Sequence, residues 1–298
     1  HDDRRGGDVA PVPRRAVLAP EVLAERREGE RLDPRGVGRG RSEGRDDDDR
    51  HRDDEQDAGV VEVGNGGDAA RVERELRQFL AFYECGEFAK CDFFGNVPAD
   101  KKIIKDICLS GDGESTIVKE FPEICKVMSK IQQEFRTKYS KDDPCGLGNF
   151  KLRLITNASR LGNEKVEEAL KYLLETDGEI WAKLDAGSEE WYKRMNRSAV
   201  KFDTILSNLE KVIKLYPICI QTMQCNLQGD APTVTEVDLY IQNLERIYRA
   251  APQNFIEVQL YTVIRQTMIP DVLPLPKEFL EETARKIRAK IPVQVRTF

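Results

Sequence analysis

The feature that most limits what this chain can fold into is a regular alternation of helical and strand-like segments from about residue 70 to the end. Leu76, Phe79, Leu80 and Tyr83 recur at i, i+3, i+4 and i+7, one face of a helix. Ile103 to Leu109 reads as a strand running into Ser110-Gly111-Asp112-Gly113-Glu114. Phe121, Ile124, Met128, Ile131 and Phe135 then make the next helical stripe. Further strands are predicted at Leu152 to Ile155, Glu179 to Leu184, Pro217 to Met223, Phe255 to Val263 and Val293 to Thr297. The helices between them carry Val166/Leu170/Leu173/Leu174, Phe202/Ile205/Leu206/Leu209/Ile213, Val237/Tyr240/Ile241/Leu244/Ile247 and Phe279/Leu280/Ala284/Ile287. Helices of ten or more residues between short β-rich runs require parallel strands joined by right-handed crossovers. Units of about 35–45 residues predict an α/β fold, a partial parallel (β/α)6 TIM-like barrel, with a doubly wound open sheet as the alternative. In both, ligands bind beyond the carboxyl ends of the strands.

Before residue 71 the composition is different. No Lys precedes Lys90, whereas 20 follow from there on. Residues 1–70 hold 13 Arg against 19 Asp and Glu, which carries the whole net charge of −6. Removing these from the totals of 47 basic and 53 acidic residues leaves 34 of each. The segment has no aromatic residue and includes Asp46-Asp47-Asp48-Asp49. Such a stretch cannot bury enough apolar surface to offset its ordering entropy. Two domains follow: 1–70 as a disordered or non-native low-complexity segment, and 71–298 as the barrel. Non-native here means the product of a shifted reading frame joined to a genuine domain. Within the first, Glu21 to Glu25 could form a short helix and Gly59 to Val63 a short strand.

Several function classes are excluded or disfavoured. No apolar run is long enough to span a bilayer and no secretory signal is visible, so a cytoplasmic protein is expected. Mild acidity gives no indication of nucleic-acid binding. Only His1 and His51 occur, both outside the barrel, which removes any histidine triad or His-rich zinc site from it. Seven Cys without a signal peptide read as reduced thiols, and Cys85-x5-Cys91 has no standard zinc or redox spacing.

Unusual polar residues cluster where the predicted strands end: Gly111 to Glu114, Asn157, Asp185-Ala186-Gly187, Gln221, and Gln259, Tyr261 and Arg265. Glycines there let backbone N–H groups approach a ligand, and Glu114 can receive an ammonium group. Each also has a plain structural role, as a turn, a helix cap or a paired interior polar group. Polar positions at five consecutive strand ends nevertheless point to one shared pocket.

These residues, in this order, resemble the radical S-adenosylmethionine (SAM) enzymes. Ser110-Gly111-Asp112-Gly113-Glu114 resembles their Gly-Gly-Glu-type motif, and Ile155-Thr156-Asn157-Ala158 their Thr-Asn-Gly strand. Lys183-Leu184-Asp185-Ala186-Gly187, Met195-Asn196-Arg197-Ser198, Phe202 to Leu209, Ile220-Gln221-Thr222-Met223 and Val258 to Val263 follow in sequence over about three quarters of the chain. The resemblance implies an enzyme on a partial six-unit barrel that cleaves SAM reductively to a 5′-deoxyadenosyl radical. It implies that Gly111, Asp112, Gly113 and Glu114 bind the amino-acid end of SAM. Asn157, Lys183, Asp185 and Gln221 would approach its ribose or carboxylate, and Gln259, Tyr261 and Arg265 would face the substrate. An electron donor such as a flavodoxin or ferredoxin would be the partner of an active member.

The sequence departs from the family at one place. The family's [4Fe-4S] cluster is held by Cys-x3-Cys-x2-Cys ahead of the first helix, and SAM chelates the remaining iron. No Cys precedes Cys85. No metal ligand is therefore assigned, and the chain as written is expected to be inactive in SAM cleavage. The alternatives are a SAM- or ligand-binding barrel without redox chemistry, and a lyase or hydrolase using Glu114, Asp185 or Lys183.

Overall fold

A computed structural model describes residues 61–62, 68–91, 97–98, 101–110, 113–175, 177–264 and 271–298. The expected segment 21–25, most of 1–70, and Gly111, Asp112 and Arg265 lie outside the described residues.

The described chain alternates as expected, from β1 (Val61–Glu62) and α1 (Ala69–Glu84) through β2 (Asp106–Ser110), α2 (Phe121–Lys138), β3 (Lys151–Thr156), α3 (Glu164–Leu174) and β4 (Glu179–Lys183). It continues with α4 (Glu189–Asn196), α5 (Phe202–Ile213), β5 (Ile218–Met223), β6 (Cys225–Leu227), α6 (Val234–Ala250), β7 (Phe255–Tyr261), β8 (Val272–Pro274), α7 (Lys277–Lys290) and β9 (Gln294–Thr297). Seven strands form one parallel sheet in the order β1-β2-β3-β4-β5-β7-β9. A doubly wound sheet reverses its strand order at a switch point. Here the order runs one way from edge to edge, which is the topology of a partial barrel. The sequence reading counted six barrel strands and a short strand at Gly59 to Val63; Val61–Glu62, within the latter, joins the sheet as its seventh strand by pairing with Leu109 and Ser110 of β2.

Burial alternates along the strands because successive side chains face opposite sides of the sheet. Leu152, Leu154 and Thr156 of β3 are buried, while Lys151, Arg153 and Ile155 between them are half-buried. On β5, Thr222 bonds the Tyr240 hydroxyl of α6, so the even-numbered residues face the helices and Cys219, Gln221 and Met223 face the barrel interior. Ile104 does not extend β2 as the sequence predicted. Its N–H bonds the Cys145 carbonyl and the Tyr83 hydroxyl, so residues 103–105 lead into the strand. β6 and β8 form a small antiparallel pair directly after β5, at the mouth of the barrel.

Candidate functional site

At the end of β2, Gly113 is exposed with open space where a side chain would stand. Glu114 caps a short 3-10 turn, Ser115–Ile117. Its Oε1 accepts from Thr116 N–H (3.3 Å), Thr116 Oγ1 (2.5 Å) and Thr156 Oγ1 (2.6 Å). Its Oε2 accepts from Asn157 N–H (2.6 Å). A carboxylate offers about four acceptor positions. Glu114 is thus a clasp between the β2 loop and the end of β3, and acceptor capacity for an ammonium group remains on Oε2 alone. The turn it holds carries Ala158 at φ 63°, the left-handed region that glycine favours. The Thr156 hydroxyl, receiving Ala158 N–H, and the Asn208 amide, donating to the Ala158 carbonyl, hold it there.

The end of β4 is held more firmly still. The Asp185 side chain is only 3% exposed. Its Oδ1 accepts from Met223 N–H (2.8 Å) and its Oδ2 from the Asn196 amide (3.3 Å), with Lys183 Nζ at 3.8 Å. The Asp185 charge outweighs burial and raises the Lys183 ammonium above its usual range, and the nearby Tyr261 adds to this. Lys183 lies 5.7 Å from the centre of the Tyr261 ring and keeps about a third of its side chain exposed. Beyond Asp185, the backbone N–H groups of Gly187 and Ser188 both donate to Glu236 Oε1, and Asn243 donates to the Gly187 carbonyl at 2.8 Å. Gly187 is required: a Cβ there would collide with the Glu236 carbonyl oxygen and the Tyr240 backbone nitrogen.

Asn157, Lys183 and Asp185 come together on one small cleft. Asn196 and Ser198 complete its polar side, and Leu184, Tyr192, Phe202 and Ile205 its apolar side. The sequence reading placed Phe202 and Ile205 on a helical stripe packing in the core or at the rim and named Asn196 and Ser198 only within the motif series; it did not predict α4, which delivers Tyr192 and Asn196. The signal was present: Ser188 caps α4 by accepting Trp191 N–H, and Glu189 and Glu190 follow in the first turn.

Gln221 does not line this cleft. It points into the barrel and donates from Nε2 to Gln259 Oε1 at 2.9 Å. Gln259 is buried and donates to Glu257 Oε1 at 2.6 Å, and Arg296 binds both oxygens of Glu257. Tyr261, on the substrate side of the sequence reading, stands beside Lys183.

The cysteines do not fit an iron–sulfur cluster at the mouth. Cys85 caps the far end of α1, a helix of 16 residues and so about 24 Å long, and Cys91 follows it at the end of the short 3-10 turn Phe88–Lys90, which packs on that same end through Phe88 and Tyr83. Cys145 lies at that same foot of the barrel, where its carbonyl accepts from Tyr83. Cys108, Cys125 and Cys219 are buried in the sheet and helix layers. Cys225 alone reaches the mouth; it is buried with its thiol against Met195 Sδ, and burial pushes it up to about 11. Among the described residues no three His, Cys, Asp or Glu side chains are placed to hold a metal ion.

No family model and no curated protein matches this chain. Solved structures similar to it include radical SAM enzymes. One is TYW1 with a lysine–pyruvate adduct bound, at 15% identity over 63% of this chain and 51% of that one, TM-score 0.44. A second is a radical SAM methyltransferase from Sphaerobacter thermophilus, at 14% identity over 65% and 51%, TM-score 0.42. A third is Streptococcus suis SuiB bound to S-adenosylmethionine, at 10% identity over 82% and 45%, TM-score 0.49. The chain spans about half the length of each.

Proposed function

We propose that this chain is a radical SAM-type barrel that binds S-adenosylmethionine in the cleft at the ends of β3 and β4. One observation carries the reading. Asn157, Lys183 and Asp185, three of the eight residues that the motif resemblance assigns to SAM, converge on a single cleft. Lys183, kept protonated by Asp185, is suited to a carboxylate, and Asn157, Asn196 and Ser198 to hydroxyl groups. Tyr192 and Phe202 offer apolar surface to a heterocycle. Reductive cleavage requires a thiolate triad that this chain's cysteines do not supply at the mouth, so the activity proposed for the chain is binding. A lysine that forms Schiff bases needs a lowered pKa. Asp185 raises that of Lys183, which disfavours the lyase reading.

Calorimetry with SAM tests this. Saturable binding is expected, weakened about tenfold or more by Lys183→Met, the loss of one charge-assisted hydrogen bond. A wild-type chain that gives no binding heat sinks the reading. Anaerobic iron–sulfur reconstitution is expected to leave no stoichiometric cluster absorbance; a full cluster with SAM cleavage would show that the chain is catalytic.

A further inference from the structure

The inner face of the barrel is layered by charge. At its foot Arg153 pairs with Asp106 and Glu179, Lys151 with Glu179, and Arg296 with Glu257. At its mouth Lys183 faces Asp185. Between them Gln221 and Gln259, opposite each other on β5 and β7 and flanked in register by Lys183 of β4 and Arg296 of β9, form a layer without formal charge.

Hydrogen bonding fixes the direction of both amides in that layer. Glu257, bound by Arg296 through both oxygens, has only acceptors to offer. Gln259 must therefore turn its NH2 toward Glu257, which leaves its carbonyl oxygen for Gln221. Gln221 donates its own NH2 to that oxygen. The sequence Arg296, Glu257, Gln259, Gln221 is a one-way relay. It ends on Gln221 Oε1, an acceptor for which the described residues provide no donor. Gln221 is half-buried and open to the barrel interior, so its free oxygen meets whatever enters from the mouth. A glutamine free to rotate reads donors and acceptors alike, whereas one locked by an ion pair two residues away reads donors.

We infer that Gln221 reads a neutral N–H-bearing group, a carboxamide or peptide amide, entering the barrel beneath the cleft. The free Gln221 oxygen is itself an acceptor and repels an anion, so a carboxylate is directed to Lys183 in the cleft and not to this position. An amide gives its N–H to Gln221 Oε1; a primary carboxamide, which has an N–H on the same edge as its carbonyl, can also accept the second Gln221 N–H, whereas a trans peptide amide cannot. This deepens the reading above by naming the substrate's chemical class, and rests on it only in calling the entrant a substrate.

The test is a ligand-observed NMR titration of the full chain with N-methylacetamide, methyl acetate and acetate, with and without SAM. The first two differ by N–H against oxygen. Wild type is expected to prefer N-methylacetamide over methyl acetate about fivefold, the effect of one hydrogen bond, and, with SAM occupying Lys183, to disfavour acetate. Gln221→Leu should abolish the preference. Glu257→Gln should lessen it with Gln221 intact, because Arg296 then holds the new carbonyl oxygen and an NH2 faces Gln259. Where that variant does not fold, Gln259→Met breaks the same relay at its middle. Equal binding of amide and ester, tighter binding of acetate with SAM occupying Lys183, or a preference that survives Gln221→Leu overturns the inference. A SAM titration on the same samples separates the two readings. An amide preference without SAM binding keeps this subsite and removes the cofactor, and SAM binding without an amide preference does the reverse.

Discussion

Glu236 is the group on which the geometry of the candidate site most depends, and its removal has a calculable cost. The carboxylate is buried at the first turn of α6 and accepts the N–H groups of Gly187 and Ser188, immediately after Asp185. Helix N-termini favour negative charge, which suits it to that position. In Glu236→Ala the Gly187 N–H is left buried without a partner, at about 1–3 kcal/mol, while the half-buried Ser188 N–H recovers part of its loss from water. The total is about 2–4 kcal/mol. For a domain of this size that corresponds to a fall in Tm of roughly 5–12 °C. Glu236→Gln keeps one acceptor oxygen and is expected to cost about 1 kcal/mol. Urea unfolding gives the stability of each variant, and calorimetry gives the SAM affinity. The affinity should fall with stability, because the loop that carries Asp185 loosens. A Glu236→Ala chain within about 0.5 kcal/mol of wild type, with unchanged SAM affinity, would refute the claim that this carboxylate sets the loop.

Gly187→Ala should be at least as damaging, about 2–3 kcal/mol by denaturant unfolding, because the obstructing atoms are backbone and cannot rotate away. Glu179 gives a pH signature. Burial pushes its carboxyl up, but the Lys151 hydrogen bond and the Arg153 charge together hold it below the usual 4.5. A depressed folded-state pKa means stabilisation present above pH 4.5 and lost as pH falls through the folded value. The stability gap between wild type and Glu179→Gln should therefore narrow below pH 4.5 in urea midpoints taken from pH 3 to 7. Thiol labelling should divide the cysteines. Exposed Cys85 and Cys145 react in the native chain, whereas Cys125 and Cys219, buried and with their thiols raised by burial, react only after unfolding, as mass spectrometry of labelled peptides would show.

The helices and strands were legible because their apolar periods are long and unbroken, as in the α2 stripe from Phe121 to Phe135. α4 was not, because it buries only Trp191 and Tyr192 and has no full stripe to read. β6 and β8, at three residues each, are too short for any period. At the site, Asn157, Lys183 and Asp185 were found because they stand at or just past the last residues of their strands. Gln221 stands two residues before the end of β5, which places it inside the barrel and not on its rim; counting back from the turn would have separated it from the others. Glu236 was hidden by its own local pattern. Thr233-Val234-Thr235-Glu236 reads as a capping box, in which the glutamate turns back to its own helix. Thr233 does cap α6, but Glu236 crosses to the β4 loop instead. A contact between residues some fifty positions apart leaves no mark in either local sequence.

The same accounting bears on the missing cluster. Cys-x3-Cys-x2-Cys occupies about eight positions, and in the family it lies between the first strand and the first helix. In this chain β1 ends at Glu62 and α1 begins at Ala69, which leaves residues 63–68 for that connection. None of residues 63–68 is a cysteine, so this connection offers no thiolate ligand. Asp68 is moreover engaged as the cap of α1, accepting Ala70 N–H at 2.9 Å. The described walls of the cleft come from the end of β3, from β4, α4 and α5 and from the loops on either side of α4, held by Glu114 from one side and Glu236 from the other. The binding proposed for the cleft thus rests on described residues other than those of that connection, and its test does not require the cluster.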